Sequence, residues 1–118
     1  MTLSPNFTFK DFMKTPYYNG QSEMRMIYLG KKYIINGKEY YVSLFFEDGF
    51  LNVVNLTYAD ESITEEDEMK RKEIHDKILE ENGIEVNKEY GWGKVVSSYD
   101  PKGNSSNIII AYRHLMSI

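Results

Sequence analysis

Residues Met24–Tyr58 read MRMIYLGKKYIINGKEYYVSLFFEDGFLNVVNLTY. Three runs rich in aromatic and β-branched residues are separated by Asn36-Gly37 and Asp48-Gly49, so the segment predicts three consecutive antiparallel strands. Asn-Gly favours a two-residue type I′ hairpin because both turn positions need positive φ. That turn sets Ile35 opposite Lys38 and, counting outward, Tyr33 opposite Tyr40, Leu29 opposite Leu44 and Ile27 opposite Phe46. One face of the pair is then apolar except at Lys31, which makes it the core face. The second turn has two solutions. A two-residue Asp48-Gly49 loop puts Leu51, Val53, Asn55 and Thr57 on the core face. A three-residue Glu47-Asp48-Gly49 loop, with Gly49 left-handed, puts Phe50, Asn52, Val54, Leu56 and Tyr58 there. Burying one large apolar side chain is worth about 1.5–3 kcal/mol, so the solution that buries four of them is expected. The opposite face carries Glu39, Tyr41, Ser43 and Phe45 and is mixed rather than polar.

Downstream lies ADESITEEDEMKRKEIHDKILEENGIE, from Ala59 to Glu85. Ser62-Ile63-Thr64-Glu65 has capping-box spacing, and Asn82-Gly83 followed by Ile84 has the form of a left-handed C-cap with its hydrophobic contact. A helix of about 18–20 residues is expected between them. Its acids lie mostly toward the N-terminus, where the helix dipole favours them, and Glu66–Lys70, Asp67–Arg71 and Glu68–Lys72 have favourable i,i+4 spacing. The apolar stripe is narrow. Ile74, Ile78 and Leu79 mark it, and continuing it backward reaches Arg71 and Asp67. Only the C-terminal half is therefore expected to dock firmly.

Residues 88–118 return to strand patterning. KEYGWGKVVSSYD and NSSNIIIAYR flank Asp100-Pro101-Lys102-Gly103-Asn104-Ser105-Ser106, which predicts a longer hairpin. The second of these strands is apolar on both faces at its start and is expected in the interior of the sheet. Upstream of the meander, Asn6 or Thr8 can cap a short helix with Phe9, Phe12 and Met13 on one face, stopped at Thr15-Pro16. Tyr17-Tyr18-Asn19-Gly20 is a turn.

The 118 residues are expected to form one domain, large enough for a core without disulfides or a structural metal. The chain has no cysteine, which excludes thiol catalysis and cysteine-ligated metal sites. The first residues lack the basic region and apolar run of a signal peptide, and no stretch approaches the roughly 18 apolar residues of a membrane span, so a cytoplasmic protein with no membrane partner is expected. Net charge is −4 and the pI is about 5.2, which argues against nucleic-acid binding. The charge is uneven: Asp60 to Glu85 holds eleven acidic and four basic residues.

No stretch carries a catalytic, cofactor or metal motif. His75-Asp76 lacks a ligand partner at i+4, where Leu79 sits, and His114 has no neighbouring nucleophile. Ser97-Ser98 and Ser105-Ser106 lack the Gly-x-Ser-x-Gly context of a nucleophile elbow. The loop DPKGNSS has the composition of an anion nest but opens a strand rather than a helix. Glu65-Glu66-Asp67-Glu68 lacks the glycine and alternating ligands of a calcium loop. Gly91-Trp92-Gly93 is the most distinctive tripeptide, its glycines permitting a bulge or close backbone approach beside an indole. Ten tyrosines and six phenylalanines without a basic surface suit protein recognition better than base stacking.

The expected fold is α+β: a short N-terminal helix, a three-stranded meander, one long helix and a C-terminal hairpin, forming a curved antiparallel sheet of about five strands. In size, acidity and architecture the chain is similar in kind to small bacterial inhibitors and toxin-immunity proteins. The expected function is a non-enzymatic module that binds a basic protein, using Glu65, Glu66, Asp67, Glu68, Glu73 and Asp76 with Tyr41 and Trp92 as anchors, and no cofactor. The competing expectation is a ligand-binding or enzymatic domain with an aromatic pocket of Tyr28, Tyr40, Tyr58 and Trp92 between helix and sheet, and His75 or His114 as proton carrier. A homodimer through the mixed sheet face is the third.

Overall fold

The computed structural model describes residues 3–59, 68–103 and 105–113. Their order is α1 (Phe9–Met13), β1 (Ile27–Tyr28), β2 (Tyr33–Ile35), β3 (Lys38–Glu47), β4 (Phe50–Tyr58), α2 (Glu68–Glu81), β5 (Gly93–Asp100) and β6 (Ser105–Tyr112). The strands form one antiparallel, open, weakly curved sheet in the order β1-β3-β4-β6-β5, with β2 beside β1 along the same edge of β3. The α+β architecture is the expected one, with six strands where about five were anticipated. β6 is interior, between β4 and β5.

Both glycine turns of the meander are two-residue type I′ turns: Asn36 and Gly37 have φ of 50° and 78°, Asp48 and Gly49 of 51° and 83°. The three-residue loop expected at 47–49 does not form. Glu47 pairs with Phe50 and Phe46 with Leu51, after which the register shifts so that Phe45 pairs with Val53 and Leu44 with Val54. The extra residue, Asn52, is a β-bulge. Turn and bulge together reconcile the two sequence solutions: Leu51 enters the core from the first, Val54 and Leu56 from the second, and all three are buried. Phe50 is left on the other face.

The first strand of the meander is interrupted. Tyr33 pairs with Tyr40 as expected, but Ile27 pairs with Leu44 instead of Phe46. Two residues are taken up around Gly30, whose φ is 74°, so the side-chain parity survives and Lys31 is expelled into solvent. The cationic defect predicted on the core face is thereby removed.

One face of the sheet holds the core, including Ile27, Leu44, Phe46, Leu56, Val95 and Ile108. α1 closes one end of it. Thr8 caps this helix with a capping box: its hydroxyl accepts the Asp11 N–H at 3.0 Å and Asp11 accepts the Thr8 N–H at 3.1 Å. These bonds, the backbone one first, hold the Asp11 carboxyl below its ordinary value. Phe12 is fully buried against Phe46, and Phe9 meets Phe46 edge-on at 5.5 Å. Met13, expected beside them, lies outward.

α2 covers the other end of the same face. It ends as predicted, with Gly83 left-handed and the Ile84 N–H donated to the Leu79 carbonyl at 2.9 Å. Its capping-box start, Ser62 to Glu65, lies outside the described residues. The first described turn does dock, contrary to the expectation that only the C-terminal half would, and it does so through polar groups. Tyr58 pairs with Tyr40 of β3, but pairing between β4 and β6 stops at Leu56 and Ile108, so β6 offers no backbone partner to the Tyr58 N–H and carbonyl. Side chains of α2 supply the missing bonds. His75 Nε2 accepts the Tyr58 N–H at 3.0 Å, and Arg71 donates to the Tyr58 carbonyl. Ser106 Oγ donates to the Glu68 carbonyl at 2.6 Å. No helix among the described residues is long and apolar enough to cross a membrane.

Candidate functional site

Because both helices lie on one face, the other face of the six-stranded sheet carries no described element. Alternation assigns its residues. One row crosses five strands as Tyr28, Ser43, Asn55, Ile109 and Val96. A parallel row runs Phe45, Val53, Ala111, Lys94, and a third runs Tyr41, Thr57, Asn107, Ser98. In the third row the Thr57 hydroxyl donates to Asn107 Oδ1 at 2.7 Å. The centre of this face has no charged side chain. Charges sit at its margins: Lys32 pairs with Glu39 and lies over the Tyr41 ring, and Lys94 and Asp100 lie on the far edge strand. Large apolar groups stand in solvent here, with Tyr28 74% exposed and Tyr41 51%, and Ile34 and Phe50 likewise exposed.

Asn55, in the middle of the central row, has its Oδ1 buried without a hydrogen-bond partner. Such an acceptor costs about 1–3 kcal/mol, and valine in a central strand removes the cost while adding β-propensity. Asn55→Val is therefore expected to raise stability by about 1 kcal/mol, read as a higher urea midpoint with an unchanged slope.

Those residues singled out from sequence that the structure describes do not converge. Glu65, Glu66, Asp67 and His114 lie outside the described residues. Glu68 is largely buried in an ion pair with Arg71 at 3.1 Å, so its carboxylate serves the fold. Asp76 pairs with Lys72 at 2.8 Å; burial raises its pKa, but the hydrogen bond and charge of Lys72, with contributions from Ser97 and His75, together outweigh this and leave it below its ordinary value. Glu73 is exposed on α2. Tyr41 belongs to the opposite side of the sheet from α2. Trp92 stacks on Tyr90 at 5.3 Å at the entrance to β5 and is 38% exposed. The described helix holds five acidic and four basic residues, so the acidic excess resides in the sequence at 60–67, with five acids and no base.

The aromatic pocket does not assemble either. Tyr40 and Tyr58 are neighbours at 5.8 Å, but Tyr28 is on the open face and Trp92 is at the far edge. His75 is fully buried, with Nδ1 lacking a partner. Burial first, then the Arg71 charge, lowers its pKa to about 4. With Nε2 accepting from Tyr58, the neutral ring carries its proton on Nδ1, and the residue acts as a structural clip.

Comparison with protein families, with curated proteins and with solved structures gives no match. Among the described residues no group of three metal-ligating side chains is found. The open face was foreshadowed by the mixed alternation Glu39, Tyr41, Ser43, Phe45; its extent depends on β5 and β6 and on both helices choosing the same side.

Proposed function

We propose that the protein is a non-enzymatic binding module that recognises another protein through the open face of its sheet. The observation that supports this most is the packing of α1 and α2 on one side, which leaves the other side with exposed aromatic rings around an uncharged centre. That is the anatomy of a protein interface: aromatic anchors, charge depletion in the middle and charges at the rim. The size suits it too. Four strands abreast at about 4.8 Å, each of eight to ten residues at about 3.3 Å, span on the order of 500 Å² before side-chain relief and before the short β1 and β2 are added, against about 800 Å² per partner in a standard interface. The unsatisfied Asn55 fits a site kept for recognition at a cost in stability.

The acid-rich sequence at 60–67 favours a basic partner, whose approach it accelerates at low salt. The test is affinity purification of the tagged chain from its own host at low and high salt. Ile109→Lys and Tyr41→Ala are expected to abolish recovery of a partner while the circular dichroism spectrum is retained. Glu73→Gln is expected to change only the salt dependence. Recovery unaffected by Ile109→Lys contradicts the assignment of the face.

A further inference from the structure

The described residues do not fill the face that carries both helices from end to end. Between the last turn of α2 and the β2–β3 hairpin lies a cleft of about 400 Å³, within the range of small-molecule pockets. Its floor is aliphatic, formed by Leu56, Val95, Ile108 and Ile110, with Leu79 and Ile35 on opposite walls. A second hollow of about 320 Å³ shares Ile35, Leu56 and Ile110 with the first and continues over Val54 toward Leu3 and Tyr112. Shared residues at the junction and different ones beyond it make the two a single elongated trough.

Charge is confined to one end of this trough. Asn36, Lys38, Glu81 and Asn82 line the first section, whereas no charged side chain among the described residues lines the second. Such a shape matches a linear molecule with one polar end. Lys38 indicates the sign of that end. It is half-buried and has no carboxylate partner among the described residues. Glu81 lies at the same end, and with Lys77 of the adjoining depression the local balance is one net positive charge. Tyr40 supplies a donor. It lines the cleft, is only 4% exposed, and its hydroxyl makes no hydrogen bond among the described residues. Burial first, then the neighbouring Tyr58, raises its pKa, so the phenol keeps its proton.

We propose that this trough binds a fatty acid, with its carboxylate at Lys38 and Tyr40 and its alkyl chain laid across Leu56 and Ile110 toward Tyr112. The site is on the opposite side of the sheet from the protein-binding face, so either can fail without the other.

The test uses the whole chain and three amphiphiles of equal chain length: decanoate, decanol and decyltrimethylammonium. Binding is followed by calorimetry and by methyl NMR. Decanoate is expected to bind saturably and to shift the Leu56, Ile108 and Ile110 methyls, leaving Val53 and Ile109, which point to the other face, unmoved. The cationic amphiphile is expected to bind at least about tenfold more weakly. Lys38→Gln is expected to lower decanoate affinity about tenfold while leaving decanol affinity within about twofold and the thermal midpoint unchanged. Tyr40→Phe is expected to lower decanoate affinity a few-fold. Shifts centred on Val53 and Ile109, binding without saturation, equal affinity for the cationic probe, or an unaltered affinity in Lys38→Gln would each overturn the proposal.

Discussion

Gly93→Ala is expected to cost about 3 kcal/mol or more, one of the two largest effects anticipated in this protein. Gly93 opens β5 opposite Tyr112 with φ of 144°, a region that side chains other than glycine rarely enter. A Cβ there would stand 2.0 Å from the Ala111 carbonyl oxygen. That oxygen is backbone in an interior strand and cannot swing aside, so the β5–β6 register itself would have to yield. The close approach also holds the preceding turn, where Tyr90 and Gly93 exchange backbone hydrogen bonds and the Trp92 carbonyl accepts the Arg113 N–H at 2.7 Å. Gly91, two residues earlier, provides the control. It has no positive φ and nothing within 4 Å of an added Cβ, so Gly91→Ala is expected to stay within about 1 kcal/mol of the parent. Chemical denaturation of the two variants side by side checks the pair; equal losses would contradict the backbone account.

The second large effect is a loss of stability in mild acid centred on His75. Unfolded, its imidazole has the ordinary pKa of 6.5; folded, it titrates at about 4. Above pH 6.5 both states are neutral and the contribution is complete. As pH falls from 6.5 toward 4 the unfolded chain takes up a proton that the folded one refuses, so stability falls by up to about 1.4 kcal/mol per pH unit, about 3 kcal/mol in all. Below about 4 the folded ring protonates too and this slope ends. Carboxylates add little above pH 5, so the window from 5 to 6.5 isolates the imidazole. Protonation is resisted first because the ring is buried and then because the Arg71 charge lies beside it; Nε2 is moreover committed to accepting the Tyr58 N–H. His75→Gln keeps an acceptor for that N–H and is expected to flatten stability between pH 5 and 6.5. A slope unchanged in the variant would show that another group carries it.

Much of the fold was legible in local patterns. Asn36-Gly37 set the Tyr33–Tyr40 register, Thr8 and Asn82-Gly83 marked helix ends, and the two-sided apolar run Ile108–Ile110 placed β6 inside the sheet. What escaped has physical causes. A bulge changes side-chain parity without leaving a composition signal, so Asp48-Gly49 had to be read as one turn or the other until Asn52 was seen to absorb the extra residue. The buried stripe of α2 runs through Arg71, His75, Ile78 and Leu79. Its first two members read as polar, because the need they meet belongs to the Tyr58 peptide, far away in sequence. The spacing 71, 75, 78, 79 is itself a helical face and was the available signal. The acidic cluster stood out by composition, but composition does not say which carboxylates are spent inside the fold, as Glu68 is on Arg71.

The central question is whether a partner sits on the sheet face that no described element covers. Photo-crosslinking in the host cell tests this directly, with the reactive residue placed in turn at position 109 in the middle of the open face, at 41 toward its margin and at 73 on the outer surface of α2. The account predicts the same protein adduct from 109 and 41 and none from 73. An adduct linking two copies of the chain through 109 would identify the partner as the protein itself. Adducts from 73 with none from 109 or 41 would contradict the account.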